Sequence, residues 1–531
     1  MKKYIQKNQH LYYAALLCIL VSTLFAVSLQ FYKGKVLDYA LAGNLKNTIT
    51  SGALLIIFIL FENLFYYAYC RIDIRFVTNC TKLLKKDIFK SILNRNYVVY
   101  KEQTQGDYLA KYTNESDAIK DLYFKMLPFF WEILFKIIFV SISLFILDWR
   151  IAIITIILLS TPLFVPKMIE KPLQNAQTES LISMEIALAK VNDWSSGFEI
   201  IKNYSIEKRI MYEFNTINNE SMDKMLQNER LGAIAQLITT LISYISYYIV
   251  LICSAWLVLR GVFSAGDFFI AIGMIDQLSY PLISLSGIIR HLIGIKSTCE
   301  STEKFINDGF LYKTTDEKDS FEKRIIFNNV SFGYDNKELI LKDFNLLLEK
   351  GKLYLIKGPS GCGKTTIINL LLKYYEVGAG TITIDDRNIE CYGNTYGLIT
   401  VVRQEAILFH DTLRNNLTMY QDISDATLIC TLKSVGLHKY ATTNGLNSFV
   451  EENGSNFSGG EKKRICLARA LLRNTNILIL DEPLANLDSV TVNQIENLIL
   501  SIKEKTIIVV SHQFSSEKLN KFDTIITLSA K

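Results

Sequence analysis

The segment Gly358-Pro359-Ser360-Gly361-Cys362-Gly363-Lys364-Thr365-Thr366 has the spacing G-x-x-x-x-G-K-T. Glycines at these places let successive backbone N–H groups turn inward as a nest for an anion, and a helix starting there adds its partial positive end. Lys364 can then reach the β- and γ-phosphates of a nucleotide, while the Thr365 hydroxyl suits Mg²⁺. Further along, the aliphatic run Ile477–Leu480 ends in Asp481-Glu482. Two carboxylates after such a run make poor packing but useful chemistry. The aspartate at a strand's end can reach Mg²⁺, and the next carboxylate can polarise an attacking water. Read together, the two motifs predict hydrolysis of a nucleoside triphosphate. A third motif, Phe457-Ser458-Gly459-Gly460-Glu461, reads as a helix start, with Ser458 and Glu461 forming an S-x-x-E capping box. The capping box leaves the paired glycines unexplained, since each weakens a helix by about 1 kcal/mol. Their use would be to offer backbone donors to a second phosphate.

These groups need a scaffold. The strand-like run Leu353–Ile356 precedes the glycine loop, and Ile367, Ile368, Leu370 and Leu371 give the helical pattern after it. From Ile325 onward, short β-branched runs alternate with helical patterns, as in an α/β nucleotide-binding domain. The first part of the chain is different. Apolar stretches at about 11–32, 51–69, 127–147, 151–170, 232–259 and 267–289 each approach the roughly 20 residues that cross a bilayer as a helix. The expected architecture is therefore a polytopic α-helical membrane domain with six transmembrane helices over 1–305, a charged linker over 306–324, and an α/β P-loop NTPase domain over 325–531. Between the spans, residues 70–126 and 171–231 are long, polar and lysine-rich, and are expected to be helical extensions. Asp148–Arg150 and Gly261–Gly266 are short links. The positive-inside bias puts the amino terminus, both long segments and the nucleotide domain in the cytoplasm.

Composition agrees. Half of the 531 residues are apolar and only 21% are charged, below the roughly 25% of soluble domains. This excludes disordered, collagen-like and coiled-coil classes. A net charge of +5 is too small to suggest a nucleic-acid partner; the expected surroundings are a lipid bilayer. Nine scattered cysteines with no C-x-x-C pair read as reduced thiols, not a disulfide frame or a zinc site. Lys2, Lys3 and Lys7 before Leu11–Tyr32 resemble a signal peptide, but the run is long enough to remain as a membrane helix.

Polar groups inside lipid are costly and so are functional candidates. Glu62, Glu132, Lys136, Gln236, Asp276 and Gln277 fall within the spans. Glu132 and Lys136 are four apart and are expected to pair. Asp276 has no local partner and precedes Pro281, so we expect Asp276 and Gln277 to face a substrate path. Tyr244, Tyr247 and Tyr248 share a face of span five. Tyr244 and Tyr248 either line that path or belong to a packed seam, the seam being the simpler reading.

Taken as a set, these motifs resemble the ATP-binding cassette transporters, and within them the exporter-type half-transporters that fuse six spans to one cassette. The resemblance covers essentially the whole chain and implies the type I (type IV) exporter fold, ATP and Mg²⁺ as ligands, and a dimer, with a homodimer favoured over a heterodimer. Tyr334, in Val330-Ser-Phe-Gly-Tyr334, matches the aromatic residue that stacks on adenine. Gln404, in Val401-Val-Arg-Gln404, matches the glutamine that contacts Mg²⁺ and the attacking water. The loop Gly358–Thr366 holds the phosphates, while Ser458, Gly459, Gly460 and Glu461 of the second subunit close over the γ-phosphate. Asn486-Leu487-Asp488 matches the loop that crosses the dimer interface, and His512 the histidine that holds the γ-phosphate. Two ATPs would be sandwiched, with Glu482 hydrolysing each.

Phe457–Glu461 matches the family's signature motif, and Glu451-Glu452-Asn453-Gly454 resembles the exporter-type segment just before it. Phe457 stands for the family's usual leucine and Glu461 for its glutamine, the latter implying a slower ATPase. The sequence ends at Lys531, just after the strand-like Thr524–Leu528, without the family's helical tail, so weaker cassette contact without ATP is expected. No cysteine-protease segment precedes the first span, so a peptide cargo would need no leader cleavage here. The implied function is ATP-driven export of an amphipathic peptide, drug or lipid across a bacterial plasma membrane. The alternatives are a metallophore importer on the same fold and a nucleotide-gated channel or regulatory subunit. Intact Glu482 and His512 speak against the channel, and six spans exclude a soluble DNA-repair cassette.

Overall fold

Backbone N–H and C=O groups find no partner in hydrocarbon, so long apolar segments must bond within themselves. The computed structural model describes residues 1–161, 165–310, 320–334, 338–359, 361–485, 487–503 and 505–529. Helices run over Gln9–Leu41, Leu45–Leu93, Met126–Leu147, Glu207–Leu259 and Ala265–Gly294. By length and apolar composition, five helices among the described residues can cross a membrane. The expected fourth span is helical over Trp149–Ser160 and over Val165–Ser196; residues 162–164 lie outside the described residues. The lysine-rich segments continue as helix only in part: Leu45–Leu93 and Glu207–Leu259 run unbroken for 49 and 53 residues, whereas short helices Tyr97–Lys101 and Gln105–Ala110 follow the first and Phe198–Asn203 precedes the second.

Polar groups in this unit largely serve its packing. Asp148 caps the Trp149–Ser160 helix by accepting from the Arg150 N–H, and the Arg150 guanidinium returns to the same carboxylate, both at 2.8 Å. Lys136 Nζ donates to Glu132 at 2.7 Å, the expected pair. Gln277 donates its amide to the Ala26 carbonyl at 3.1 Å; expected on the substrate path, it ties the sixth membrane helix to the first. Nearby these two helices meet backbone to backbone. A Cβ on Gly34 would lie 2.6 Å from the Gly266 carbonyl oxygen. Asp38 fastens the contact by accepting from the Ser264 hydroxyl and the Gly266 N–H, each at 2.7 Å. Of the tyrosines on the fifth helix, only Tyr247 packs against the apolar core with Val250 and Met274. Tyr244 and Tyr248 are exposed on the surface of the chain. Asp276 is exposed as well.

The chain divides into two units, Met1–Leu93 with Thr104–Asp308, and Asn94–Gln103 with Gly309–Lys531. Two features depart from the boundaries read off the sequence. The helix Lys296–Phe310 runs into the expected linker, of which 311–319 lie outside the described residues. Residues 94–103 group with the nucleotide-binding part, because the Tyr97 ring stacks on Tyr374 at 3.9 Å with 8° between planes.

The second unit holds two sheets. Strands β1 (Arg324–Phe332), β2 (Leu341–Glu349), β4 (Ala379–Ile384) and β5 (Arg387–Asn388) form an antiparallel sheet in the order β2-β1-β4-β5. Strands β3 (Leu353–Lys357), β6 (Ile399–Val402), β7 (Ile477–Asp481), β8 (Thr506–Val510) and β9 (Thr524–Thr527) form a parallel sheet in the order β6-β7-β8-β3-β9. Strands β7 and β8 are buried at every position, which is why they read as unbroken aliphatic runs instead of alternating ones.

Candidate functional site at the carboxyl edge of the parallel sheet

In an open parallel sheet, ligands bind beyond the carboxyl ends of the strands. The register brings four motifs to that edge. Val402 pairs with Leu480, Asp481 with Val510, and Val510 with Ile356. The residues just past these pairs are Arg403-Gln404 after β6, Glu482 after β7, Ser511-His512 after β8 and the glycine loop after β3.

The loop is shaped as its composition requires. Gly363 caps the Lys364–Leu371 helix with φ of 100°, and a Cβ there would also press on Leu341 at 3.0 Å. Lys364 Nζ donates to the carbonyls of Gly358 and Pro359 at 2.7 and 2.8 Å, which hold the ammonium over the loop. Thr365 is exposed; Thr366 and Cys362 are buried. Thr366 thus faces inward, its hydroxyl 3.3 Å from that of Tyr334. Ser360 and Asn486 lie outside the described residues. Tyr334 also accepts from Asn369 Nδ2 at 3.3 Å and sits edge-on to Phe332 and Tyr375. Arg403 donates to Asn369 Oδ1 at 2.9 Å and lies over the Tyr374 ring. Sequence reasoning missed Asn369 and Arg403. The only signal was a charged residue next to Gln404 at the end of an apolar strand. Gln404 itself is exposed.

The carboxylates differ in surroundings. Burial pushes the Asp481 carboxyl above its ordinary range, with Arg403 the strongest charge pulling it back. Glu482 adopts the left-handed conformation, φ 50°, which costs a non-glycine residue about 1–3 kcal/mol. Its N–H donates to Val510 at 2.8 Å, and its Oε1 lies 2.9 Å from His512 Nδ1. Its Oε2 is buried with no partner among the described residues. A buried carboxylate oxygen seeks a donor, and one on this edge can take it from a water placed to attack a phosphate.

The signature forms the capping box its sequence predicts. Glu461 N–H donates to Ser458 Oγ at 3.2 Å, and Glu461 Oε2 accepts from the Ser458 N–H at 2.9 Å. Tyr440 donates to the other Glu461 oxygen at 3.4 Å, so the added charge is met by two donors. Ser458 and Gly459 are exposed, with nothing within 4 Å of a Cβ built on Gly459. Phe457 points the other way, buried in the core against Tyr440. Phe457→Ala should therefore destabilise the fold by about 3–5 kcal/mol through the cavity it leaves. Phe457→Leu should cost much less. Thermal melting of the full chain checks both, and equal melting temperatures for the two variants would contradict the packing role.

Comparison with known proteins covers both units. Residues 12–282 match the family described as ABC transporter transmembrane region, and residues 341–485 that described as ABC transporter. Among similar proteins is the multidrug resistance-like ATP-binding protein MdlB of Buchnera aphidicola subsp. Schizaphis graminum. It is 29% identical over 455 residues, covering 82% of this chain and 76% of that protein. The ATP-dependent lipid A-core flippase of Syntrophus aciditrophicus is 25% identical, covering 84% of this chain and 75% of the flippase. A solved structure of a bacterial Atm1-family ABC exporter with ATP bound superposes with a TM-score of 0.79 at 22% identity, over 99% of this chain and 93% of that one. With a membrane region and an ATP-binding region matched in one chain, the protein belongs to the ABC transporters, as a membrane-embedded half-transporter of exporter-type fold whose ATPase drives transport.

Proposed function

We propose that this chain exports an amphipathic compound from the cytoplasm across a bacterial plasma membrane, working as a homodimer that hydrolyses ATP at two shared sites. The observation that carries this reading is the buried Glu482 Oε2, without a partner among the described residues, on the same sheet edge as Lys364 and Asp481. The outward direction is supported by relatives named for multidrug resistance and lipid A-core flipping.

In each site the loop Gly358–Thr365 cradles the phosphates and Tyr334 lies under the adenine. The Thr365 hydroxyl, the Asp481 carboxylate and the Gln404 amide are hard oxygen donors that fit Mg²⁺. When bound, Mg²⁺ would neutralise charge on the phosphates. Glu482 takes the proton of the attacking water, and His512 orients Glu482 beside the γ-phosphate. Donors at the exposed Ser458 and Gly459 and at the half-buried Gly460 close over the phosphate held by the other copy. Closure and release form a two-state element biased by the γ-phosphate.

Mixing variants tests the shared sites. Lys364→Ala and Ser458→Ala subunits are each expected to be inactive, yet a mixed dimer rebuilds one intact site. Single-turnover ATP cleavage should return when the two are co-reconstituted in proteoliposomes. Sites built within one chain would give no return.

In the membrane unit, exposed Asp276, with Tyr244 and Tyr248 on the neighbouring helix, supports a path for a cationic amphipath; Gln277, bonded to Ala26, plays no direct part in it. Asp276→Asn should raise the half-maximal concentration of a cationic stimulator of the ATPase about tenfold, the equivalent of 1.4 kcal/mol. Neutral stimulators should be unaffected, and an equal shift for both would remove Asp276 from the path.

A further inference from the structure

Lys463 lies little more than one turn beyond Ser458 on the Gly459–Leu472 helix. Its Nζ donates to the Ala485 carbonyl at 2.8 Å and to the Glu482 carbonyl at 3.4 Å. The ammonium is partly buried, and burial pulls its pKa down against the supporting charge of Glu482. Burying a cation costs free energy unless its donors are used, and an ammonium has three to place. The same helix touches this turn again farther along, where a Cβ on Gly460 would lie 3.2 Å from Leu487 Cδ2. One rigid helix of 14 residues therefore carries the exposed Ser458–Gly459 donors and braces the turn that begins at the left-handed Glu482.

We propose that Lys463 is a positioning residue that links the two ATP sites of the dimer. The inference rests on the shared-site reading above. In that arrangement Ser458 of a given chain serves one site, whereas Glu482 of the same chain serves the other. A γ-phosphate engaging Ser458 and Gly460 draws on the helix amino terminus. The helix passes that displacement through Lys463 to the Glu482 and Ala485 carbonyls, and through Gly460 to Leu487. Occupancy of one site thus sets the Glu482 carboxylate in the other. Coupling between binding sites of this kind registers as cooperativity.

The test measures ATP hydrolysis against ATP concentration for the full chain in proteoliposomes. The native protein should show a Hill coefficient above 1. Lys463→Met, which keeps the aliphatic stem and drops the donors, should bring it to 1 and lower kcat by up to about 100-fold, the scale of a catalytic group misplaced by about 1 Å. Lys463→Arg should keep both. Nucleotide affinity, measured in a Glu482→Gln background, should stay unchanged in Lys463→Met, because no phosphate contact is lost. An unchanged Hill coefficient in Lys463→Met overturns the inference, as does a native coefficient of 1. If Lys463→Met fails to bind nucleotide or melts early, Lys463→Gln is measured instead. It keeps a single amide donor and should lie between native and fully uncoupled behaviour; native cooperativity in that variant overturns the link. Should the Lys364→Ala and Ser458→Ala mixture recover cleavage while Lys463 variants stay cooperative, the coupling fails and the shared sites stand. Should the mixture recover nothing, both fall together.

Discussion

Glu482→Gln is expected to keep ATP bound and to slow its turnover by at least about 100-fold, the usual contribution of a positioned general base. The amide has the same shape, so its oxygen can replace Oε1 opposite His512. Its nitrogen then occupies the place of Oε2, the atom with no partner among the described residues, and a donor there cannot take a proton from water. Affinity should hold or rise, because a negative charge has been removed from the neighbourhood of a phosphate. Nucleotide retention and phosphate release, measured on one preparation, separate the two effects. Near-native turnover would remove Glu482 from its role and reopen the assignment of the base.

The second large effect is on binding. Lys364→Ala should weaken ATP affinity by about 10–100-fold, since a charge-assisted hydrogen bond contributes about 1.5–3 kcal/mol. Two losses combine here. The phosphates lose a cation, and the Gly358 and Pro359 carbonyls lose the ammonium that holds the loop. Lys364→Arg should rescue little, because a planar guanidinium cannot replace a compact ammonium seated between two carbonyls. A nucleotide-binding titration alongside a melting curve checks this. A matching fall in melting temperature without nucleotide would point to damage in the fold instead of the site.

What the sequence disclosed was chemistry confined to a few neighbouring residues. The glycine loop, the capping box of Ser458 and Glu461 and the Glu132–Lys136 pair each depend on spacing along one turn or one loop. The fold class followed from apolar lengths and from the change of texture near Ile325. Contacts set by strand order were hidden. Arg403, Asn369 and Lys463 matter because of what lies beside them across the sheet or across a helix, and no periodicity announces that. The same holds for Tyr97, whose stacking partner Tyr374 is far away in sequence and moves a short helix into the other unit. Gln277 and the span-five tyrosines show the complementary difficulty. A polar or aromatic residue in a hydrophobic helix points in a direction that only its neighbours fix.

The meeting of Gly34 with Gly266 has a consequence for how cargo leaves the protein. The seam leaves no room for an acyl tail, since even a Cβ on Gly34 would overlap the Gly266 carbonyl oxygen and the Ile270 side chain. The first and sixth membrane helices are riveted at that level by Asp38, so a lipid-like passenger escaping sideways must part some other pair of helices.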